Sequence, residues 1–252
     1  MRQKVNAIIN GHEILKVLAN QQHALGVTEV SKMTGISPSS CFNILKTLVD
    51  LGLASFNVET KRYKLGFAIF ELARQGMSHK PLLMAVQPYL VTLAEKFQAS
   101  FGLWSIDSRY RAVLIAISQN SIAHNIQLQI GTRQPIAAGA TGRAILSRND
   151  VSYLNNSPWL NSQFQKVIWQ GEITLNDYRE QVIQAKKVGY AVDKDQYFEG
   201  MSAISSVFEE RNTGRLHAIT AVLYSAGLEN QVIESVGQEL KLIAKELSKL
   251  EY

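Results

Sequence analysis

Cysteine is nearly absent. Cys41 stands alone among 252 residues, which excludes an intramolecular disulfide and any cysteine-cluster metal site and agrees with a reducing compartment. Long hydrophobic runs are missing as well: residues 81–86 and 113–117 are the longest, far short of the roughly 20 apolar residues that cross a bilayer, so no membrane association is expected. The charged opening, Met1-Arg-Gln-Lys-Val-Asn6, is not followed by the apolar stretch of a secretory signal, and a cytoplasmic location is expected. His12, His23, His79, His124 and His217 are scattered without metal-ligand spacing, and neither a phosphate loop nor a nucleophile elbow occurs. No residue therefore stands out as catalytic, and neither a metal nor a cofactor is expected. Asp193, Asp195 and Glu199 are close enough in sequence to bind a cation, but read more simply as a solvated acidic loop.

What is present points to two modules. With 46% hydrophobic residues the chain can bury a core in each. Its net charge of +5 is unevenly placed, because the stretch up to Gly66 holds eight basic against four acidic residues and everything after it nets only +1. A small basic head on a nearly neutral body suits a phosphate-facing module joined to one that does not touch nucleic acid, although scattered surface lysines produce the same count.

Within the head, Ile14, Leu15 and Leu18 form an apolar stripe that predicts a helix over residues 11–20. Thr28 is placed to cap a second, short helix that Gly35 stops. Ser37-Pro38 then supplies a capping serine and a first-turn proline, so a third helix follows at once and the pair, over about residues 26–45, predicts a helix-turn-helix. Cys41, Ile44, Leu45, Leu48 and Val49 form its inner side. Ser39, Ser40, Asn43, Lys46, Thr47 and Asp50 are left outside, a polar face short-chained at its start and suited to a major groove. Residues 53–56 and 62–65 bracket a polar tip and predict a β-hairpin, a wing whose Lys61, Arg62 and Lys64 can grip the backbone of double-stranded DNA. The expected DNA-facing set is Thr28, Ser37, Ser39, Ser40, Asn43, Lys46, Thr47, Lys61, Arg62 and Lys64.

The domain division expected is residues 1–66 for the winged helix-turn-helix, 67–80 for a linker helix too apolar to run free, and 81–252 for a larger domain. In the last, a helix opens at Pro81 and is expected to kink or break at Pro88. Strands are expected over 101–106, 111–117, 126–130, 190–193, 201–208 and 215–225, with helices over 139–146, 174–187 and 230–250. Strands interleaved with helices, and at least one hairpin return, predict an α+β fold with a mostly antiparallel sheet. On these residues alone two other functions stay open: a metabolite sensor whose helix-turn-helix binds protein, and a small-molecule enzyme.

Four stretches carry a resemblance. Thr34-Gly-Ile-Ser-Pro-Ser-Ser-Cys-Phe-Asn-Ile-Leu-Lys-Thr-Leu48, Tyr63-Lys-Leu-Gly66, Gly131-Thr-Arg-Gln-Pro-Ile136 with Gly139-Ala-Thr-Gly-Arg-Ala144, and Gly189-Tyr-Ala-Val-Asp193 leading to Gly200 stand in the order and spacing of the IclR type of bacterial regulator, which the chain resembles over nearly its whole length. The resemblance implies a winged helix-turn-helix, a GAF-like effector domain, a homodimer or tetramer, and a partly palindromic operator near genes for small carboxylic or aromatic compounds. It also implies an effector site built from Ile126, Ala140, Thr141, Gly142, Asp193, Ala203 and Ser225. Amides at the start of the helix near Thr141 can hold a carboxylate there, whereas Ala140 and Gly142 can equally be small for close packing. Asn43, Gln196, Ala203 and Val207 stand where the family usually has arginine, an acid, cysteine and proline. Those changes imply an altered operator contact and a less ionic pocket.

Overall fold

The computed structural model describes residues 5–76, 80–119 and 128–250, and the chain divides into two compact units, residues 1–78 and 79–252. Unit one contains α1 (Asn6–Ala19), α2 (Val27–Thr34), α3 (Pro38–Asp50), β1 (Ala54–Asn57), β2 (Arg62–Leu65) and α4 (Ala68–Gly76). Ile14 and Leu18 of α1, Val30 of α2 and Cys41, Leu45 and Leu48 of α3 meet in one core that Leu25, Ala54 and Tyr63 complete. The lone cysteine is thus a packed thiol.

Local chemistry sets the helix ends. Gly35 adopts φ +71° and closes α2; Ser37 then caps α3, its hydroxyl accepting from the Ser40 amide at 3.3 Å, with Pro38 in the first turn. At the start of α2 the expectation needs correcting. Gly26, not Thr28, occupies the cap, because the Glu29 carboxylate accepts from the Gly26 amide at 2.7 Å and Thr28 lies inside the helix. Helix α1 also begins earlier than its apolar stripe, at Asn6.

Strands β1 and β2 pair antiparallel, and Leu25 adds a third short rung through reciprocal backbone bonds with Tyr63 of 2.9 and 2.8 Å. Where the chain leaves this hairpin it crosses itself at Gly66, whose hypothetical Cβ would lie 2.0 Å from the Gly52 carbonyl oxygen. Only glycine fits that crossing.

Unit two contains α5 (Lys80–Phe97), β3 (Ser100–Ile106), β4 (Arg111–Gln119), β5 (Arg133–Pro135), α6 (Gly139–Leu146), α7 (Val151–Asn156), α8 (Pro158–Gln165), α9 (Leu175–Val188), β6 (Ala191–Lys194), β7 (Met201–Glu209), β8 (Leu216–Tyr224) and α10 (Asn230–Leu247). Its sheet has six strands in the order β5-β4-β3-β8-β7-β6, every neighbouring pair antiparallel. The unit is α+β, as expected. Alternation sorts each strand: Phe101, Leu103, Ile204, Phe208, Ile219 and Ala221 pack on one face against Leu82, Val86 and Leu90 of α5 and Val236, Leu240 and Ile243 of α10. On the opposite face Trp104, Leu114 and Ala218 meet Ile145 of α6, with Ile136 just before that helix.

Three expectations change. Helix α5 runs through Pro88 without a break, the proline lying on the exposed side. Of the strand expected over 126–130, residues 126 and 127 lie outside the described residues, while Leu128 to Ile130 are not in a strand; the neighbour of β4 is β5, three residues long. Helices α7 and α8 were not expected. The second carries the same signal as α3, since Ser157 accepts from the Leu160 amide at 3.1 Å and Pro158 follows.

One ion pair ties α6 to the sheet. Arg143 is fully buried and its guanidinium donates from Nη1 to Asp193 (2.6 Å), from Nε to Gln181 of α9 (2.6 Å) and from Nη2 to Gln196 (2.6 Å). It also lies 5.4 Å from the Trp169 ring centroid and 5.0 Å from that of Tyr178, cation–π distances that cover its faces. Asp193 uses its other oxygen to accept from the amides of Gln196 (3.3 Å) and Tyr197 (3.1 Å), which holds the turn after β6.

Removing one partner of such a pair strands a buried charge. Arg143→Met is expected to destabilise unit two by about 3–5 kcal/mol, and Arg143→Met with Asp193→Leu to recover much of that loss; calorimetric unfolding of the three proteins checks both. Gly66→Ala is expected to lower the melting temperature of unit one, at a cost of about 2–3 kcal/mol, with the unit-two transition unmoved in the same scans.

Candidate functional site

In unit one, α3 presents its expected outer face. Ser39, Asn43, Lys46 and Thr47 are exposed, as are Lys61 and Lys64 on the hairpin and Thr28 on α2, so these side chains stand on the surface of the head. Several are already engaged. Ser37 and Ser40 share a hydroxyl–hydroxyl bond of 2.9 Å as part of the cap, and Thr47 donates back to the Asn43 carbonyl at 3.0 Å. Ser37 and Thr47 are the donors and reach a phosphate only by giving up those bonds, whereas Ser40 accepts and keeps its own hydrogen.

Arg62 differs more from its expected part as a backbone clamp. Its Nη1 donates to the Ala24 carbonyl at 2.6 Å and pairs with Glu29 at 3.1 Å, so the guanidinium fastens the hairpin to the start of α2. The Glu29 carboxyl is held below its usual range, first by the Gly26 amide and then by Arg62. Lys61 and Lys64 remain the hairpin's outward cations. The polar-face reading also missed Phe42, which is 50% exposed on α3 beside Ser39 and Lys46. Its signal was simple, since residue 42 falls outside the spacing of Cys41, Leu45 and Leu48.

In unit two, a cavity of about 330 Å³ opens between the face of the sheet that α5 and α10 leave uncovered and the start of α6. Trp104 of β3, Met201 and Ala203 of β7 and Thr220, Val222 and Tyr224 of β8 form its floor; Gly139, Ala140 and Thr141 form one wall and Tyr197, Phe198 and Glu199 another. The size falls within the range of small-ligand sites. Four of the expected residues, Ala140, Thr141, Asp193 and Ala203, come together there.

The helix end in that wall is unusual. Ala138 occupies the N-cap and has no side chain to accept from the first turn, and among the described residues no acceptor meets the Ala140 and Thr141 amides, although both residues are at least 97% buried. Buried helix starts ordinarily find such partners, and unmet amides attract negative charge. Thr141 adds a hydroxyl that bonds Thr220 at 2.9 Å, and Thr220 in turn meets Ser205 at 2.8 Å. No lysine, arginine or histidine lies among the described lining residues.

Gly142 and Ser225 fall elsewhere. A Cβ on Gly142 would sit 2.5 Å from the Ile136 carbonyl oxygen and the Ala137 carbonyl carbon, so that glycine lets the preceding loop pack on α6 and does not line the cavity. Ser225 lies one residue past β8 and bonds Ser202 at 2.8 Å. Thr220, Val222 and Tyr224 face the cavity, and an odd-numbered position in that register turns away from it. Ile126 lies outside the described residues.

Asp193 lines the cavity with both oxygens occupied by Arg143 and by backbone amides, which makes it part of the wall's framework. Gln196 accepts from Arg143 in place of the family's acid, Ala203 enlarges the floor, and Val207 lies away from the cavity, against Ala144 and Ala191. Burial pushes the Tyr197 phenol above its usual range, and Asp193 pushes the same way, so that side chain enters the wall as a neutral phenol.

Comparison with known proteins agrees with both halves. Residues 7–57 match the IclR helix-turn-helix domain and residues 75–249 match the bacterial transcriptional regulator IclR C-terminal domain. The chain is 22% identical over 206 residues to the HTH-type transcriptional regulator KdgR of Escherichia coli (strain K12), covering 80% of this chain and 75% of that one. Its fold is shared with an IclR transcriptional regulator from Alicyclobacillus acidocaldarius (TM-score 0.76, 18% identity, 98% of this chain and 99% of that one). It is shared too with an IclR homolog from Microbacterium hydrocarbonoxydans crystallised with 4-hydroxybenzoate (TM-score 0.77, 14% identity, 97% and 100%). Such relatives regulate transcription, and the enzymatic alternative falls away. With a helix-turn-helix at one end and a cavity-bearing sheet domain at the other, both matched, the chain belongs to the IclR family of bacterial transcriptional regulators.

Proposed function

We propose that this chain binds a partly palindromic DNA operator as a homodimer or tetramer and changes its grip when a small carboxylic or aromatic metabolite enters the cavity of unit two. The observation that carries the ligand reading is the start of α6, where buried residues without a capping side chain border a mostly apolar space whose one exposed acid is Glu199. A carboxylate oxygen accepts from such amides with the help of the helix dipole, and an aromatic or aliphatic body suits Trp104, Met201 and Val222. The ligand bound to the Microbacterium relative, 4-hydroxybenzoate, is of this class.

In this reading residues 1–66 bind DNA, 67–80 connect, and 81–252 sense. Ser39, Asn43, Lys46 and Thr47 enter the major groove, Asn43 facing an adenine edge, while Lys61 and Lys64 hold phosphates on either flank. Phe67 and Phe70 support oligomer formation: they are 71% and 59% exposed with ring centroids 5.5 Å apart, more apolar surface than a connector in water needs. Ligand then favours one arrangement of the paired recognition helices, whose separation must match half-sites about one helical turn apart.

Two variants of the full chain separate the halves of this reading. Thr141→Phe fills the cavity beside Thr220, and is expected to abolish the thermal stabilisation that wild type gains from a panel of aromatic and aliphatic monocarboxylic acids while operator affinity stays within about threefold. Loss of both together would count against a separate sensing site. Ser40→Glu with Asn43→Glu places two like charges against phosphate, and is expected to remove operator binding in a gel-shift titration with ligand stabilisation intact. Unchanged DNA affinity in that protein would sink the assignment of α3.

A further inference from the structure

We propose that Phe42 is a specificity residue that reads the C5-methyl group of a thymine in each operator half-site. This rests on α3 being the groove-facing helix, as proposed above. Phe42 is 50% exposed and takes no part in the core of unit one, whose α3 members are Cys41, Leu45 and Leu48 with Ile44 and Val49 packed against it. Its helical neighbours three and four positions away on the exposed side are Ser39, Pro38 and Lys46, and Asn43 follows it directly.

Along α3, then, one large apolar ring stands among short polar and cationic side chains. That setting suits nucleic acid better than protein. A protein-docking face needs contiguous apolar area, and a helix edge that also presents Lys46 and Asn43 does not supply it. In a major groove the one apolar group on the base edges is the thymine methyl, which an exposed phenylalanine covers without needing a hydrogen bond. Phe42 and Asn43 are adjacent on the helix, so their targets are adjacent on the duplex. The inference is a half-site in which a thymine lies within about two base pairs of the adenine that Asn43 reads.

The test uses the full-length chain. Duplexes selected from a random pool define the half-site, and each thymine in it is then replaced singly by deoxyuridine, which removes only the methyl group. Dissociation constants for wild type and Phe42→Ala are measured on both duplexes at one salt concentration. Wild type is expected to lose about fourfold in affinity at one thymine, the worth of a single buried methyl. Phe42→Ala is expected to bind the thymine and uracil duplexes alike.

An equal loss in both proteins, or a half-site without thymine, would overturn the inference while leaving DNA binding by α3 intact. A change in oligomeric mass in Phe42→Ala with the thymine preference retained would overturn it too, and make the ring a subunit contact. A pool that yields no half-site at all would instead remove the DNA-binding reading on which the inference rests. Calorimetry checks that Phe42→Ala keeps the unit-one transition, and Phe42→Gln gives the same comparison if it does not.

Discussion

The buried guanidinium of Arg143 is the constraint on which unit two depends. A cation with no exposed surface is tolerable only where its faces and donors are matched, and here Asp193, Gln181 and Gln196 take its donors while the Trp169 and Tyr178 rings lie against its planar guanidinium. These partners come from the loop before α9, from α9, from β6 and from the turn that follows, so one side chain gathers four segments about α6. Replacing the whole group with apolar residues need not cost stability. What the ion pair supplies is position, because its fork geometry admits one arrangement of α6 against the turn that carries Tyr197 and Phe198.

Position is what the cavity needs. Its floor is sheet and rigid, but two of its walls, the start of α6 and residues 197–199, are a helix end and a turn with few backbone partners of their own. Gln170 also holds the turn, accepting from the Glu199 amide at 2.9 Å while its own amide donates to the Gln196 carbonyl at 3.0 Å. Asp193 lines the cavity and also joins the two walls. Arg143 was visible in the sequence only as a letter in a small-residue motif, since nothing in its neighbours foretells that residues 38 to 53 positions further along will converge on it.

Legibility followed the range of the interaction. Helix α3 could be read from Ser37-Pro38 and the spacing of its apolar residues, and the hairpin from its polar tip, because both are decided within a few residues. The cap of α2 went wrong by two positions, since Glu29 outcompetes the Thr28 hydroxyl for the role, a choice between two local solutions that spacing does not rank. Arg62 was grouped with Lys61 and Lys64 as a clamp on DNA by its place in the wing, and the Ala24 carbonyl that accepts from it is 38 residues away. Of the residues that family resemblance offered, Ala140, Thr141, Asp193 and Ala203 line the cavity, while Ser225 shows how sharply strand parity acts: one residue exchanges the cavity face for the opposite face. Trp104 and Tyr224 follow from that parity once the register of β3, β7 and β8 is known, and not before.

Coupling within unit two follows from one helix having two duties. Its first turn offers amides to the cavity, and one turn later the same helix sends Arg143 to Asp193 and the turn beyond. Without an acceptor those buried amides are a standing cost, so a ligand that carries one gains more at the helix start than the same contact would give in water. The gain depends on where α6 lies, to within a few tenths of an ångström for a hydrogen bond, and Gly142 leaves no slack against Ile136 and Ala137. Under the proposed function, a ligand that draws the helix start toward it pulls on Arg143, and through Asp193 on the amides of Gln196 and Tyr197. Arg143 and Asp193 join the cavity's two walls, and on the proposed reading it is this linkage, more than any single lining residue, that lets occupancy of a small space be felt elsewhere in the domain.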